Sequence, residues 1–504
     1  MLRQLFARKS IDQLKEEAEG DNQLHRALGP WSLFALGVGA IIGAGIFVLT
    51  GLAAKEHAGP ALTIAFVISG FGCACAGLCY AEFASMVPVA GSAYTYAYAT
   101  LGELFAWIIG WDLILEYAMA SSAVAVGWSK YVVKFLENYG VYLPPTLYHD
   151  PQSYAQSIGA LQNNNILKDA GFFQSLKMMF TGELPFSMNV VAMVVLALVT
   201  VILVKGIKES ARFNTTFVFV KLFVVLMVIA LGAPHVNTQN WIPYMPFGWK
   251  GVFSAAAYVF FAYIGFDSVS THAEEAINPQ RDVPLGIIGS LFFCTILYIA
   301  VAAVLTGMVK YDQIDINAPI ASAFAGLGLN WATRIISVGA IAGLSSVLLV
   351  LLLSQTRVFL AMARDKLLPY NVFGKVHPKF RTPANSSILT GAVVMLVSGL
   401  TPIGKIAEMV NIGTLLAFVI VCGAVINLRY KDPTRHRPFK CPWFPIVPIL
   451  GIVSNIIMMA ALDWITWTRL FVWLAIGFVI YFSYSRKHSA FREKIPTEPV
   501  IKTQ

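Results

Sequence analysis

Charge is what this sequence lacks most. Asp, Glu, Lys and Arg make up 12% of its 504 residues, about half the share of a soluble globular chain. Apolar residues account for 57% and the mean hydropathy is +0.68. One water-exposed domain cannot hide that much apolar surface, so an ordinary soluble enzyme is excluded. Cysteine is also scarce, at six. Cys73, Cys75, Cys79, Cys294 and Cys422 fall in apolar runs and Cys441 in a basic loop, which excludes an extracellular disulfide framework. Cys75 and Cys79 share a helical face but have no neighbouring histidine or acidic ligand, so they read as packing residues and no metal site is expected. An H-E-x-x-H motif and a polar catalytic cluster within the apolar runs are both missing, which speaks against an embedded enzyme. Short alternating strands are missing too, which excludes a transmembrane β-barrel.

What is present is apolar length. About twelve runs of roughly 20 residues can each cross a hydrocarbon core as a helix. They lie near 30–54, 60–86, 98–130, 187–205, 211–232, 250–274, 284–309, 333–363, 384–401, 404–428, 443–463 and 466–485, so an all-α polytopic membrane protein is expected. The formal charge of +9 invites a nucleic-acid reading until the basic residues are located. With both ends placed inside, 25 of the 36 Lys and Arg fall in cytoplasmic segments, ten on the outer side, and one, Lys221, within a span. This asymmetry is a topology signal that selects cytoplasmic N and C termini; no nucleic-acid partner is expected. Residues 1–29, with an amphipathic stretch from Ser10 to Glu19 and no signal-peptide pattern, are expected to remain as a cytoplasmic tail, and 486–504 form the other. The outer loop near 143–186 reads as a surface cap or mobile loop. The sequons at Asn214 and Asn385 face the cytoplasm in this topology, so glycosylation is not expected.

Two spans carry signs of interruption. The first carries four glycines in nine positions, Gly37, Gly39, Gly43 and Gly45, each of which weakens a helix by roughly 1 kcal/mol relative to alanine. Gly39 and Gly43 also fit a GxxxG packing face. The sixth places Gly265 beside Asp267 among aromatic residues, awkward for an unbroken lipid-facing helix. Interruptions five spans apart are what an inverted five-plus-five repeat produces, with a binding site at the midplane. Unwinding at Gly43–Gly45 exposes N–H groups at the positive end of a half-helix, which suits a carboxylate. Carbonyls near Ile41, Phe261 and Ile264 suit an ammonium group, and a zwitterionic amino acid satisfies both.

Ten stretches carry a family resemblance: Leu36–Phe47 (LGVGAIIGAGIF), His57–Pro60 (HAGP), Ala76–Phe83 (AGLCYAEF), Gly91–Tyr94 (GSAY), Gly102–Leu104 (GEL) with Gly110–Tyr117 (GWDLILEY), Gly206–Ala211 (GIKESA), Tyr263–Ser268 (YIGFDS), Glu274–Pro284 (EEAINPQRDVP), Arg357–Asp365 (RVFLAMARD) and Gly413–Ala417 (GTLLA). On these the chain resembles the amino acid–polyamine–organocation superfamily and, within it, the cationic amino acid transporter family, as a bacterial-type member. The resemblance implies a LeuT-like fold: first inverted repeat over 30–232, second over 233–428, and two additional helices over 429–485. Animal cationic members look longer by two spans. By the same resemblance, the Gly43, Ala44 and Gly45 backbone takes the substrate carboxylate, and Ile41, Phe261 and Ile264 carbonyls take the amino group. Ala262 belongs to the same segment, and Phe261 is the aromatic gate. Leu351 aligns with a position where several cationic members have a small polar residue. A leucine shortens the pocket and tilts the expectation toward small neutral amino acids such as alanine, with arginine or lysine next.

Lys221 lies about ten residues from the cytoplasmic end of the fifth span, ~15 Å deep at 1.5 Å per residue, too far in for easy snorkelling. Either it is permanently paired to hold helices together, or, as in some proton-coupled relatives it resembles, it replaces a sodium ion and titrates. Glu116 of the third span reads equally as a fixed partner or as a proton carrier or selectivity residue. Asp112, one turn earlier, is expected among Trp107 and Trp111 nearer a polar environment. Asp267 is expected to brace the cytoplasmic half of the sixth span, and Glu274, Glu275, Arg281 and Asp282 to form loop salt bridges or inner-gate contacts. The expected function is proton-coupled amino acid symport at a cell membrane, plasma or bacterial inner, by alternating access. A sodium-independent exchanger is the nearest alternative, and a channel or receptor the alternative from another class. The expected partners are an L-amino acid, a proton and the bilayer. No cofactor is expected, and no residue pattern names an accessory subunit.

Overall fold

The computed structural model describes residues 5–9, 28–86, 92–158, 181, 186–206, 210–380 and 382–490. The amphipathic stretch from Ser10 to Glu19, most of the loop near 143–186, Gly91 of GSAY, residues 207–209 of GIKESA and the tail beyond 490 lie outside the described residues, as do the side chains of Asn214 and Glu274.

Helices dominate because the apolar runs leave the backbone no partner except itself. The elements are α1 (Pro30–Ile41), α2 (Leu62–Met86), α3 (Ser92–Thr100), α4 (Glu103–Glu137), α5 (Val190–Lys205), α6 (Ser210–Gly232), α7 (Gly248–Val259), α8 (Pro279–Met308), α9 (Asn330–Arg364), α10 (Ala384–Leu400), α11 (Ile403–Lys431), α12 (Ile446–Ala460) and α13 (Trp464–Ile480). Among the described residues the only β pairing is an isolated bridge between Leu28 and Ala276. Eight helical stretches are long and apolar enough to cross a membrane, and four shorter apolar helices, α1, α5, α10 and α12, stand beside them.

The third span departs from its expected bounds of 98–130. Its helix starts at Glu103 because Gly102, at φ +111°, separates it from α3. The Phe6 backbone presses on that turn, 2.7 Å from where a Cβ on Gly102 would stand, so the N-terminal segment seats against the start of α4.

α8 packs along α2 and α1, α9 along α4 and α6, and α11 against α4 and α12, while α5 pairs with α10. The outward faces are apolar. Leu198 and Val201 of α5, Phe219 and Phe223 of α6, and Phe292 and Ile296 of α8 are all exposed. A soluble monomer does not tolerate such a continuous apolar exterior, whereas lipid does. The interior holds the polar groups instead. Glu82 of α2 accepts from Arg429 Nη2 at 2.5 Å, lies 3.2 Å from Arg437 Nε, and accepts from the Cys441 N–H at 2.8 Å. All six cysteines are buried and free. Cys441, expected in a basic loop, is buried beside this cluster; hydrogen bonding with the Cys79 thiol, followed by burial, pushes its own thiol up.

Candidate functional site

Both expected interruptions sit at the centre of the bundle and face one another. α1 ends at Ile41; Ile42 is extended (φ −73°, ψ 99°), and helical geometry resumes at Ala44. The interruption therefore falls at Ile42–Gly43, slightly ahead of the expected Gly43–Gly45. Gly45 has a different task, close approach: a Cβ there would stand 2.3 Å from Ala262 Cα. On the other strand of the site, α7 gives way to a 3-10 turn, Phe260–Tyr263, after which Ile264 is extended and Gly265 adopts φ +115°. That region favours glycine, and a Cβ on Gly265 would lie 2.9 Å from the Ala40 carbonyl oxygen. Each interruption thus supplies a glycine against which the other packs.

Between them lies a small cavity of about 10 Å³, lined by Ala40, Ile41, Gly43, Ala44, Gly45, Ala120, Val124, Phe261, Ile264, Val347 and Leu351. This is of the order of one water, because Phe261, Val347 and Leu351 close around it. Seven expected site residues meet here: Ile41, Gly43, Ala44, Gly45, Phe261, Ile264 and Leu351. Ala262 is not in the lining; its backbone faces Gly45, and its carbonyl accepts from the Tyr298 hydroxyl at 2.9 Å. No side chain in the lining is titratable. Ala120 and Val124, one turn apart on α4, and Val347, one turn before Leu351 on α9, were not singled out in the sequence. Their only signal is helical spacing, which packing residues share.

Polar groups hold the interrupted backbone from behind the cavity. Tyr298 of α8 places its hydroxyl 2.8 Å from the Ile41 carbonyl as well as near that of Ala262, sharing one proton between both interruptions. Lys221 of α6 donates to the Gly39 carbonyl and, at 3.2 Å, to that of Ile42. These are carbonyls freed at the end of α1, which otherwise lack partners. On its other side the Lys221 stem packs at Gly343 of α9, where a Cβ would come within 3.2 Å of it. No carboxylate forms an ion pair with Lys221 among the described residues, so the ammonium is held by backbone dipoles alone. Asn411 of α11 donates to the Ala257 and Tyr258 carbonyls near the end of α7, completing the frame.

The acidic residues lie apart from the cavity. Glu116 is buried near Thr414 of α11, whose hydroxyl donates to the Val410 carbonyl at 3.0 Å. Asp267 accepts from the Tyr117 hydroxyl at 3.1 Å, tying the segment after the second interruption to α4. Asp112 does not occupy the polar environment expected of it: it is 1% exposed and neither carboxyl oxygen has a hydrogen-bond partner among the described residues. The packing of α4 against α11 and α13 encloses it, while the Trp111 indole turns instead to the Trp473 carbonyl at 2.8 Å. Among the described residues, no ion pair joins Glu275, Arg281 or Asp282; Glu275 instead accepts the Leu28 N–H through its carbonyl.

An apolar helical bundle with two interrupted helices around an enclosed central cavity is the architecture of a membrane carrier. The amino acid permease family model matches residues 28–483. The chain is 48% identical to the branched-chain amino acid permease BcaP of Bacillus subtilis over 486 residues, 96% of this chain and 98% of that protein. It is 43% identical to the methylthioribose transporter of the same organism over 485 residues, with the same coverage of each chain. Against the vacuolar cationic amino acid transporter 4 of Arabidopsis thaliana it is 38% identical over 439 residues, 85% of this chain and 68% of that one. The chain belongs to the amino acid permease family. It is a multi-pass membrane protein that transports amino acids and is not an enzyme.

Proposed function

We propose that this protein is a proton-coupled symporter of neutral amino acids with small or branched aliphatic side chains, residing in the cell membrane with both termini cytoplasmic. In this reading the chain forms twelve spans in a LeuT-like arrangement, with inverted repeats over 30–232 and 233–428 and accessory helices over 429–485. The backbone at Gly43–Gly45 takes the carboxylate, and the Ile41, Phe261 and Ile264 carbonyls take the ammonium group. Phe261 closes over the substrate. The aliphatic preference is supported by the apolar walls contributed by Ala120, Val124, Val347 and Leu351, which offer a cationic side chain no acceptor. The name of the Bacillus subtilis relative BcaP points the same way. A common side for both termini is supported by Lys9 pairing with Asp365 at 2.6 Å and Ser489 donating to Glu103.

The observation that carries the coupling reading is Lys221, a buried ammonium whose described hydrogen bonds go to the two carbonyls at the first interruption. Deprotonation strips the charge from both bonds, leaving weaker neutral N–H donors, and so changes the energy of the α1 break, which links a proton to the binding site. Purified protein in liposomes should accumulate labelled alanine or valine when the outside is acidic and sodium is absent, and Lys221→Ala should abolish accumulation. Uptake that requires sodium, or that requires internal amino acid and ignores the proton gradient, overturns the reading. Competition by methylthioribose but by no amino acid overturns the substrate assignment.

A further inference from the structure

We propose that Asp112 is a second protonation site of the transport cycle, neutral while α4 and α11 are packed together and ionised when they part. The inference rests on the symport reading above and extends it to a residue outside the cavity. Three other buried carboxyl groups are anchored: Glu82 by two arginines, Glu103 by the Tyr98, Tyr481 and Ser489 hydroxyls, and Asp365 by Lys9 and Tyr94. Asp112 has both oxygens buried, and neither is partnered among the described residues. An unpaired carboxylate in such a place is strongly disfavoured, so the packed arrangement holds the neutral acid.

The carboxyl group lies against the backbone of α11 at Gly413, where a Cβ would stand 2.5 Å from Oδ1 and 3.2 Å from Oδ2. Ionisation needs water at these oxygens, and water needs α4 and α11 to separate. The proton and the helix packing are therefore linked, each biasing the other. The surrounding groups offer no positive charge that pairs with it among the described residues. Glu116, one turn along α4, adds like charge when ionised, and Asp267 and the Tyr80 phenol of α2 lie beyond it. α11 presents Thr414, and its Glu408 is engaged by Thr466 and Arg469 of α13. α13 otherwise presents Trp473, and Tyr94 of α3 is committed to Asp365. No lysine, arginine or histidine among the described residues forms an ion pair with Asp112 or Glu116.

The test uses the full chain in liposomes, with alanine as the probe. If wild-type uptake ignores the proton gradient, the symport reading fails and this proposal falls with it. If wild type accumulates alanine against its gradient, Asp112→Asn separates the two. The variant, which mimics the neutral acid, should retain alanine exchange across the membrane but lose accumulation above equal concentrations, and its pH profile should flatten. Accumulation and a pH profile like wild type in Asp112→Asn overturn the proposal while leaving the symport reading standing. Should that variant fail to fold, infrared difference spectra of wild type carrying carboxyl-labelled aspartate decide the matter. Loss of a protonated aspartic acid band as the inner side opens supports the assignment, and an unchanged band overturns it.

Discussion

Leu351 lines the central cavity, and the proposed substrate preference rests in part on it. The cavity's other side chains are apolar as well, so in the proposed reading a long basic side chain meets a steric stop at Leu351 and no acceptor. Leu351→Ser removes the stop and adds a hydroxyl. Arginine and lysine should then compete with labelled alanine for uptake, while binding of aliphatic substrates weakens by about 1–3 kcal/mol, the worth of a lost apolar pocket contact. Competition assays on the purified variant read both effects. Unchanged exclusion of arginine would show that Leu351 is not the limiting wall. The same position was legible in the sequence through its family alignment. Ala120, Val124 and Val347 were not, because an apolar residue lining a cavity and one packing against a helix carry the same spacing.

At the scale of elements, the two interruptions depend on each other. Gly45 admits the Ala262 backbone, Gly265 admits the Ala40 carbonyl, and Tyr298 reaches both break points from α8. Tyr298→Phe keeps the ring and removes the hydroxyl with its shared proton, leaving two buried carbonyls less well satisfied. The expected loss is about 1–3 kcal/mol of stability, read as a lowered thermal midpoint in detergent. Alanine binding should suffer as well, because the Ile41 carbonyl is no longer held in place. A variant with wild-type stability and affinity would mean that water replaces the hydroxyl at no cost. The glycine pattern marked where the helices break, but it did not reveal that a tyrosine 36 residues beyond Ala262 spans both breaks. Such a contact depends on how α8 lies across the bundle, which no local periodicity encodes.

Over the whole molecule, segments distant in sequence converge at one end of the bundle. Lys9 pairs with Asp365 after α9, Tyr94 of α3 donates to the same carboxylate at 2.6 Å, and the Ala7 carbonyl accepts from the Glu103 N–H. From the other terminus, Tyr481 and Ser489 donate to Glu103, and the Ser485 hydroxyl to the Leu367 carbonyl at 2.6 Å. These contacts hold the ends of α4 and α9 together, the two helices whose middles wall the cavity. Lys9→Ala should lower stability by about 1–2 kcal/mol, since the pair is only partly shielded from solvent. It should also speed proteolytic trimming of the N-terminal segment while leaving alanine binding intact. Trimming at the wild-type rate would show that the strap is held by the Phe6 and Ala7 backbone contacts rather than by the ion pair.

Composition and run length were sufficient for an all-helical membrane protein, because a backbone in lipid must satisfy itself and only long apolar helices or closed barrels do so. The glycines and the short family motifs were sufficient for the two break points and for most of the cavity lining, because unwinding is a local property of the chain. Which carbonyls Lys221 engages, which tyrosine bridges the breaks, that Asp112 is sealed against Gly413, and that the described segments around Lys9 and Ser489 meet at Glu103 and Asp365 were settled only by tertiary packing. A buried polar group is defined by the partner that the fold brings to it, and such partners lie tens to hundreds of residues away in sequence.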